Sequence, residues 1–159
     1  MMKIKILQQV SLLLFALVTG VFWGTWFTLT RSIETFTPEA YLAIGKTIIG
    51  NIGIPMRMLM PLTLLSVFAL LWLWPDKKGL AFIGVVIAFV LLVAATLITV
   101  GIEVPIDFQI RDWTLKTMPE NWKELRLKWQ FYHMVRTLCT VTGLAALISA
   151  VVNFKPAEF

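Results

Sequence analysis

Four stretches of this chain, residues 6–30, 58–75, 79–102 and 137–154, run without one charged side chain. Each approaches or exceeds the ~20 residues that an α-helix needs to cross about 30 Å of hydrocarbon. Inside lipid the backbone has no water to bond, so only helices or closed barrels can span it. Apolar runs this long, without alternation, exclude barrel strands. The expected architecture is all-α: a bundle of four transmembrane helices over about residues 7–30, 56–74, 80–102 and 134–153, forming one integral membrane domain from 1 to 159. A polar, partly helical cap over about 103–133 joins the third and fourth spans. Only 14% of the 159 residues are charged and 58% are hydrophobic, too little polar surface to coat a soluble domain of this size.

The formal charge of +5 would point to nucleic acid on a soluble protein. Here the bases lie at helix ends among acids, so the expected partners are anionic lipid headgroups and not nucleic acid. Cys139 is the single cysteine, which excludes an internal disulfide and any CxxC motif and leaves it as a small packing residue.

Lys3 and Lys5 precede the first apolar run in the manner of a signal peptide. The run exceeds a signal sequence's apolar core of about 7–15 residues, so a retained anchor is expected. Gly20 and Gly24 within it have the spacing that lets helix backbones approach closely, though a pair of lipid-facing glycines fits as well. Thr37-Pro38 offers an N-cap and a first-turn proline, predicting a short helix over 38–49 that Gly50, Asn51, Gly53 and Pro55 terminate. Pro61 should bend the second span, and Trp72 and Trp74 should mark its interfacial end. The turn at 75–79 makes the second and third spans antiparallel neighbours. No internal repeat supports a transporter plan.

An even number of spans puts both termini on one side, marked by Lys3, Lys5, Lys77, Lys78 and Lys155. The other nine bases mark the opposite side, where they interleave with seven acids and belong to folded helices. A raw positive-inside count would put the termini outside; discounting those nine bases puts them in the cytoplasm. The expected location is an inner or plasma membrane, crossed several times.

The chemistry concentrates between Glu103 and Cys139, which hold five of the nine acids, six of the fourteen bases, three of the seven tryptophans and the only histidine. Pro105 should begin a short helix there, and Thr117-Met-Pro-Glu120 fits a capping box for a long helix from Met118 to about Asn153. On that helix Trp122, Arg126, Trp129, His133 and Arg136 share one face. Glu103 and Asp107 would stack the same way if the third helix continued past Pro105. The simplest assembly pairs Glu103 or Asp107 with Arg136, with His133 beside them. The same groups would equally serve as interfacial anchors and a latch between helices. A lone histidine excludes paired-histidine iron sites, and no nucleotide-binding or nucleophile motif occurs, so no metal site is expected and the cofactor, if any, is unknown.

These residues carry a resemblance. Val104-Pro-Ile-Asp107, Trp113, Pro119-Glu-Asn-Trp122, Arg126-Leu-Lys-Trp129, His133 and Arg136-Thr137 resemble the DUF1772 family of small membrane proteins, which includes anthrone oxygenases. The likeness extends to the four-span layout and to Met60-Pro61; Asp107 departs from it, since the family often has asparagine there. It implies a four-helix membrane bundle that in some members oxidises a tricyclic anthrone to a quinone. On that footing a lipophilic aromatic, anthrone- or quinol-like, would stack on Trp113, Trp122 or Trp129 near Glu103 and Asp107. His133 would act as base and Arg136 would hold the oxyanion. The alternative is a non-catalytic membrane protein that binds lipid or quinone, or a small subunit of a membrane complex.

Overall fold

The computed structural model describes residues 2–154, so Lys155 lies outside the described residues. Their helices run α1 (Met2–Thr28), a 3-10 turn (Thr30–Thr35), α2 (Pro38–Leu73), α3 (Leu80–Ile98), a π turn (Thr99–Glu103), α4 (Val104–Asp112) and α5 (Trp122–Val152), with no strand among them. Lys3–Thr35, Pro38–Leu73, Leu80–Asp112 and Trp122–Val152 are each long and apolar enough to cross a membrane. The architecture is thus an all-helical bundle compatible with a multi-pass integral membrane protein. Leu13, Leu65, Leu80, Leu97 and Val152 lie bare on its outside, as lipid-facing side chains do.

The second span differs from the sequence reading. The short helix expected at 38–49 is the first part of α2, 36 residues long with Pro55 and Pro61 inside it. At 1.5 Å per residue α2 is ~54 Å long, well beyond the hydrocarbon thickness. Breaking a backbone in lipid orphans polar groups at several kcal/mol each, so glycine and proline are absorbed into a continuous helix there more readily than in water. Thr37 caps the start as expected, its hydroxyl accepting from the Ala40 N–H at 3.3 Å.

The third span also continues past its proline. Pro105 has no N–H to return to the Gly101 carbonyl, and the preceding turn widens: the Val104 N–H reaches the Thr99 carbonyl, a π register. The chain stays helical to Asp112, so Glu103 and Asp107 do stack one turn apart. The capping box, by contrast, does not form. Residues before proline avoid the helical region, which bars a start at Met118. Thr117 instead exchanges bonds with Thr114, its hydroxyl accepting from the Thr114 N–H at 2.8 Å, and α5 begins only at Trp122 with Asn121 as an uncapped N-cap.

At the terminal end of the bundle Phe15, Val67, Leu70, Val85, Leu92 and Leu147 form the core. There glycines let helices touch closely: a Cβ on Gly84 of α3 would lie 2.9 Å from the Ala146 carbonyl oxygen of α5, and one on Gly143 of α5 2.9 Å from Phe15 Cζ of α1 and 3.4 Å from Leu91 Cβ of α3. Gly20 and Gly24 face open space instead, so they join no helix within the chain. Trp72 is exposed as expected of an interfacial residue, but Trp74 is buried against Phe154. At the opposite end a second core of Ile33, Tyr41, Leu42, Ile106, Ile110 and Trp113 joins the 3-10 turn, the start of α2 and α4. The cap is therefore built by the overlong ends of all four spans, not only by the segment between the third and fourth.

Candidate functional site

The π turn and α5 bring the ionic residues together. Glu103, wholly buried, pairs its Oε2 with the Arg136 Nη2. Arg136 also donates through Nη1 to the Thr99 hydroxyl at 3.0 Å and lies over the Phe22 ring at 4.2 Å. Its Nε and Nη2 approach His133 Nδ1 at 3.2 and 2.7 Å. A guanidinium can only donate, so Nδ1 is the acceptor and the neutral imidazole carries its proton on Nε2. That assignment also explains why Glu103 Oε1, 3.7 Å from Nδ1, makes no hydrogen bond to the ring. His133 Nε2 is buried without a partner.

His133 stacks flat on Trp129, centroids 4.7 Å apart and planes 6° from parallel. The Trp129 Nε1 donates to Asp107 Oδ1 at 3.0 Å. A closed circuit results: Glu103, Arg136, His133, Trp129 and Asp107, whose two carboxylates stand one helical turn apart on a single helical run.

Beside this circuit lies a narrow pocket of about 40 Å³, part of it open to the outside, lined by Ile33, Phe36, Ile44, Ile48 and Ile110 together with Tyr41, Thr25, Thr30, Asp107 and Trp129. Its wall has the apolar character with a few polar groups of small-molecule sites, but its space is well below their ~300–1,000 Å³, so a ligand of several rings has to part the lining side chains to enter. The pocket reaches Asp107 and Trp129 and stops there. Glu103, His133 and Arg136 lie behind Trp129 and do not line it. Of the three tryptophans expected to hold a ligand, only Trp129 faces it. Trp122 instead packs on Tyr41 at 5.6 Å and under Arg126 at 5.0 Å. Trp113 is buried in the cap, its carbonyl accepting from Lys46 Nζ at 2.6 Å.

The residue that sequence reasoning passed over is Tyr41. It read as one apolar position of a short interfacial helix, yet it is 3% exposed and its hydroxyl has no partner in the protein. The only available signal was its helical spacing with Leu42 and Ile44, which says nothing about a pocket. No three His, Cys, Asp or Glu side chains gather as a metal site among the described residues.

Fold and site together define a small polytopic membrane protein with an ion pair sealed behind an apolar, aromatic-walled pocket. Residues 47–146 match the family model described as anthrone oxygenase. The chain belongs to that family, the one its sequence resembles, and is related to membrane oxygenases. No curated protein and no solved structure matches it. The match covers the ionic circuit, while Thr25, Thr30, Ile33, Phe36 and Tyr41 of the pocket precede it.

Proposed function

We propose that this protein is a membrane oxidoreductase of the oxygenase type, acting on a flat, lipophilic aromatic such as an anthrone or quinol drawn from the bilayer. The observation that carries this reading is the apolar pocket at the cap, walled by the Trp129 indole and containing one carboxylate, Asp107. The sequence assigned the base to His133 and the oxyanion partner to Arg136. Both roles need Trp129 to swing out of its stack, and His133 Nδ1 is already occupied by Arg136. Asp107 needs no such movement: Oδ1 is held by Trp129, leaving Oδ2 to take a proton. We therefore assign the proton to Asp107, with His133 and Arg136 holding Trp129 and the helix in place; since the family often has asparagine at this position, the assignment is one for this chain and not for the family.

For an anthrone the steps balance without further reagents. Asp107 removes one benzylic proton, and the electron-rich carbon reduces and binds dioxygen. Asp107 returns its proton to the peroxide, and the hydroperoxide so formed loses one water, made from its terminal OH and the second benzylic hydrogen. One oxygen atom ends in the new carbonyl and the other in water.

The test is oxygen uptake by purified protein supplied with anthrone, above the uncatalysed rate. Positioned proton transfer is worth about 10²–10⁴-fold, so Asp107→Asn should lose at least a hundredfold of the catalysed rate. His133→Ala should lose part of it through a loosened Trp129. Wild-type rates in both variants would remove the mechanism. A wild type that binds anthraquinone but leaves uptake at the uncatalysed rate would favour the binder reading, to which the sealing of Glu103, His133 and Arg136 behind Trp129 lends support.

A further inference from the structure

The polar groups of the pocket are nearly all committed. Thr25 donates to the Val21 carbonyl at 2.9 Å and Thr30 to the Thr25 carbonyl at 3.2 Å. The Trp129 N–H goes to Asp107. Tyr41 is the one side-chain donor lining the pocket, among the described residues, that has no acceptor. A buried hydroxyl left unpaired costs roughly 1–3 kcal/mol, and a water could relieve it only with two to four polar partners of its own. The isoleucines and Phe36 around it offer none, which leaves Asp107 Oδ2 and the Thr25 and Thr30 oxygens as the polar atoms on the rest of the wall. The ring, meanwhile, is held firmly: it packs against Trp122 within the cap core.

We infer that Tyr41 is a substrate-binding residue, its hydroxyl donating to a carbonyl oxygen of an aromatic ketone or quinone that widens the pocket on entering it. The inference deepens the proposed function and rests on it for the class of ligand. The ligand is then held at two points of opposite character, a carbonyl on Tyr41 and an acidic hydrogen toward Asp107. When Asp107 takes that hydrogen, conjugation carries the negative charge to the ketone oxygen, where the Tyr41 hydrogen bond becomes charge-assisted and stronger. Arg136, the oxyanion partner expected from sequence, is walled off from the same oxygen by Trp129.

The probes are anthraquinone and anthracene, which share a three-ring outline and differ in the two carbonyl groups. Full-length wild-type protein and Tyr41→Phe, each in nanodiscs, are titrated with both, read by quenching of tryptophan fluorescence. Tyr41→Phe should weaken anthraquinone about tenfold and leave anthracene within twofold of wild type. Equal changes for both probes, or none for either, would overturn the inference, as would a wild type that binds neither. Should the variant fold poorly, the infrared carbonyl band of anthraquinone bound to wild type decides by itself. A band shifted to lower frequency relative to anthraquinone in lipid supports the hydrogen bond, and an unshifted band refutes it. Anthrone oxidation without discrimination by Tyr41→Phe would sink this inference and spare the proposed function. Discrimination without oxidation would do the reverse.

Discussion

Glu103 and Arg136 are 0% and 5% exposed, and removing either one strands the other's charge inside the bundle. Breaking a buried pair in this way costs about 3–5 kcal/mol, whereas replacing both partners with apolar side chains of similar volume is often close to neutral. Here the double replacement, Glu103→Leu with Arg136→Met, also removes the donors to His133 Nδ1. Thr99 keeps its own bond to the Ala95 carbonyl and loses little. The residual cost is that of one unsatisfied ring nitrogen, about 1–3 kcal/mol. In a chain of this length 1 kcal/mol moves the unfolding midpoint by about 2–4 °C. Each single variant should therefore unfold about 6–20 °C below wild type and the double variant only about 2–12 °C below. Unfolding of detergent-solubilised protein, followed by tryptophan fluorescence at one scan rate, reads all four midpoints. Additive losses, with the double variant at the sum of the two singles, would refute the claim that these residues exist as a pair.

Other outcomes follow from the packing. Gly143→Val must drive its side chain into Phe15, and overpacking of that kind costs about 1–3 kcal/mol; the same assay should show a lowered midpoint, whereas Gly20→Val, facing open space, should leave it within a degree or two. Trp129→Phe keeps the ring but loses the Asp107 bond, so anthrone turnover should fall several-fold while the midpoint drops by less than in Glu103→Leu. If the termini face the cytoplasm, as expected from the sequence, a cysteine at exposed Leu115 on a Cys139→Ser background should react with an impermeant maleimide added outside intact cells; reaction only after lysis would invert the orientation.

The four spans were legible because hydrocarbon tolerates few exceptions: a charge-free run of some 20 residues has one structural meaning. The face shared by Trp122, Trp129 and His133 was legible from helical spacing, and so was a pairing of Arg136 with Glu103 or Asp107; which of the two acids it takes, Glu103, was not. The continuity of α2 was not. Gly50, Asn51, Gly53 and Pro55 are strong breakers in water, and the sequence does not say that the helix before them packs into the cap, where Tyr41 and Leu42 meet Ile106 and Ile110. The failure of the capping box has a similar origin. Thr117 had two local partners available, Glu120 and Thr114, and the proline at 119 decided between them. The pocket was illegible for a deeper reason. Its walls come from α1, the 3-10 turn, α2, α4 and α5, and no local pattern reports where five separate segments leave space unfilled.

A sealed ion pair is a poor source of stability, so its presence behind the pocket calls for another account. Arg136 ties α5 to the π turn through Thr99 and Glu103 and to its own helix through His133. His133 fixes the plane of Trp129 by stacking, and Trp129 returns to Asp107, one turn beyond Glu103. Every member of this circuit is held by its neighbours on two sides, which leaves Trp129 little freedom to tilt and Asp107 little freedom to turn. An apolar contact would anchor the same helices at lower desolvation cost but would let the indole slide, since dispersion is indifferent to direction while hydrogen bonds are not. The wall of the pocket is the part that gains from this rigidity, because a proton acceptor misplaced by 1 Å can lose about a hundredfold in rate. Replacing His133 by Leu, which fills the space but neither accepts from Arg136 nor stacks as a ring, therefore separates the two accounts. If the circuit serves positioning, anthrone oxidation should fall at least tenfold while the midpoint drops by no more than the roughly 2–12 °C that one lost buried hydrogen bond costs. Loss of stability without loss of rate would mean that the ion pair is only a fastening between helices.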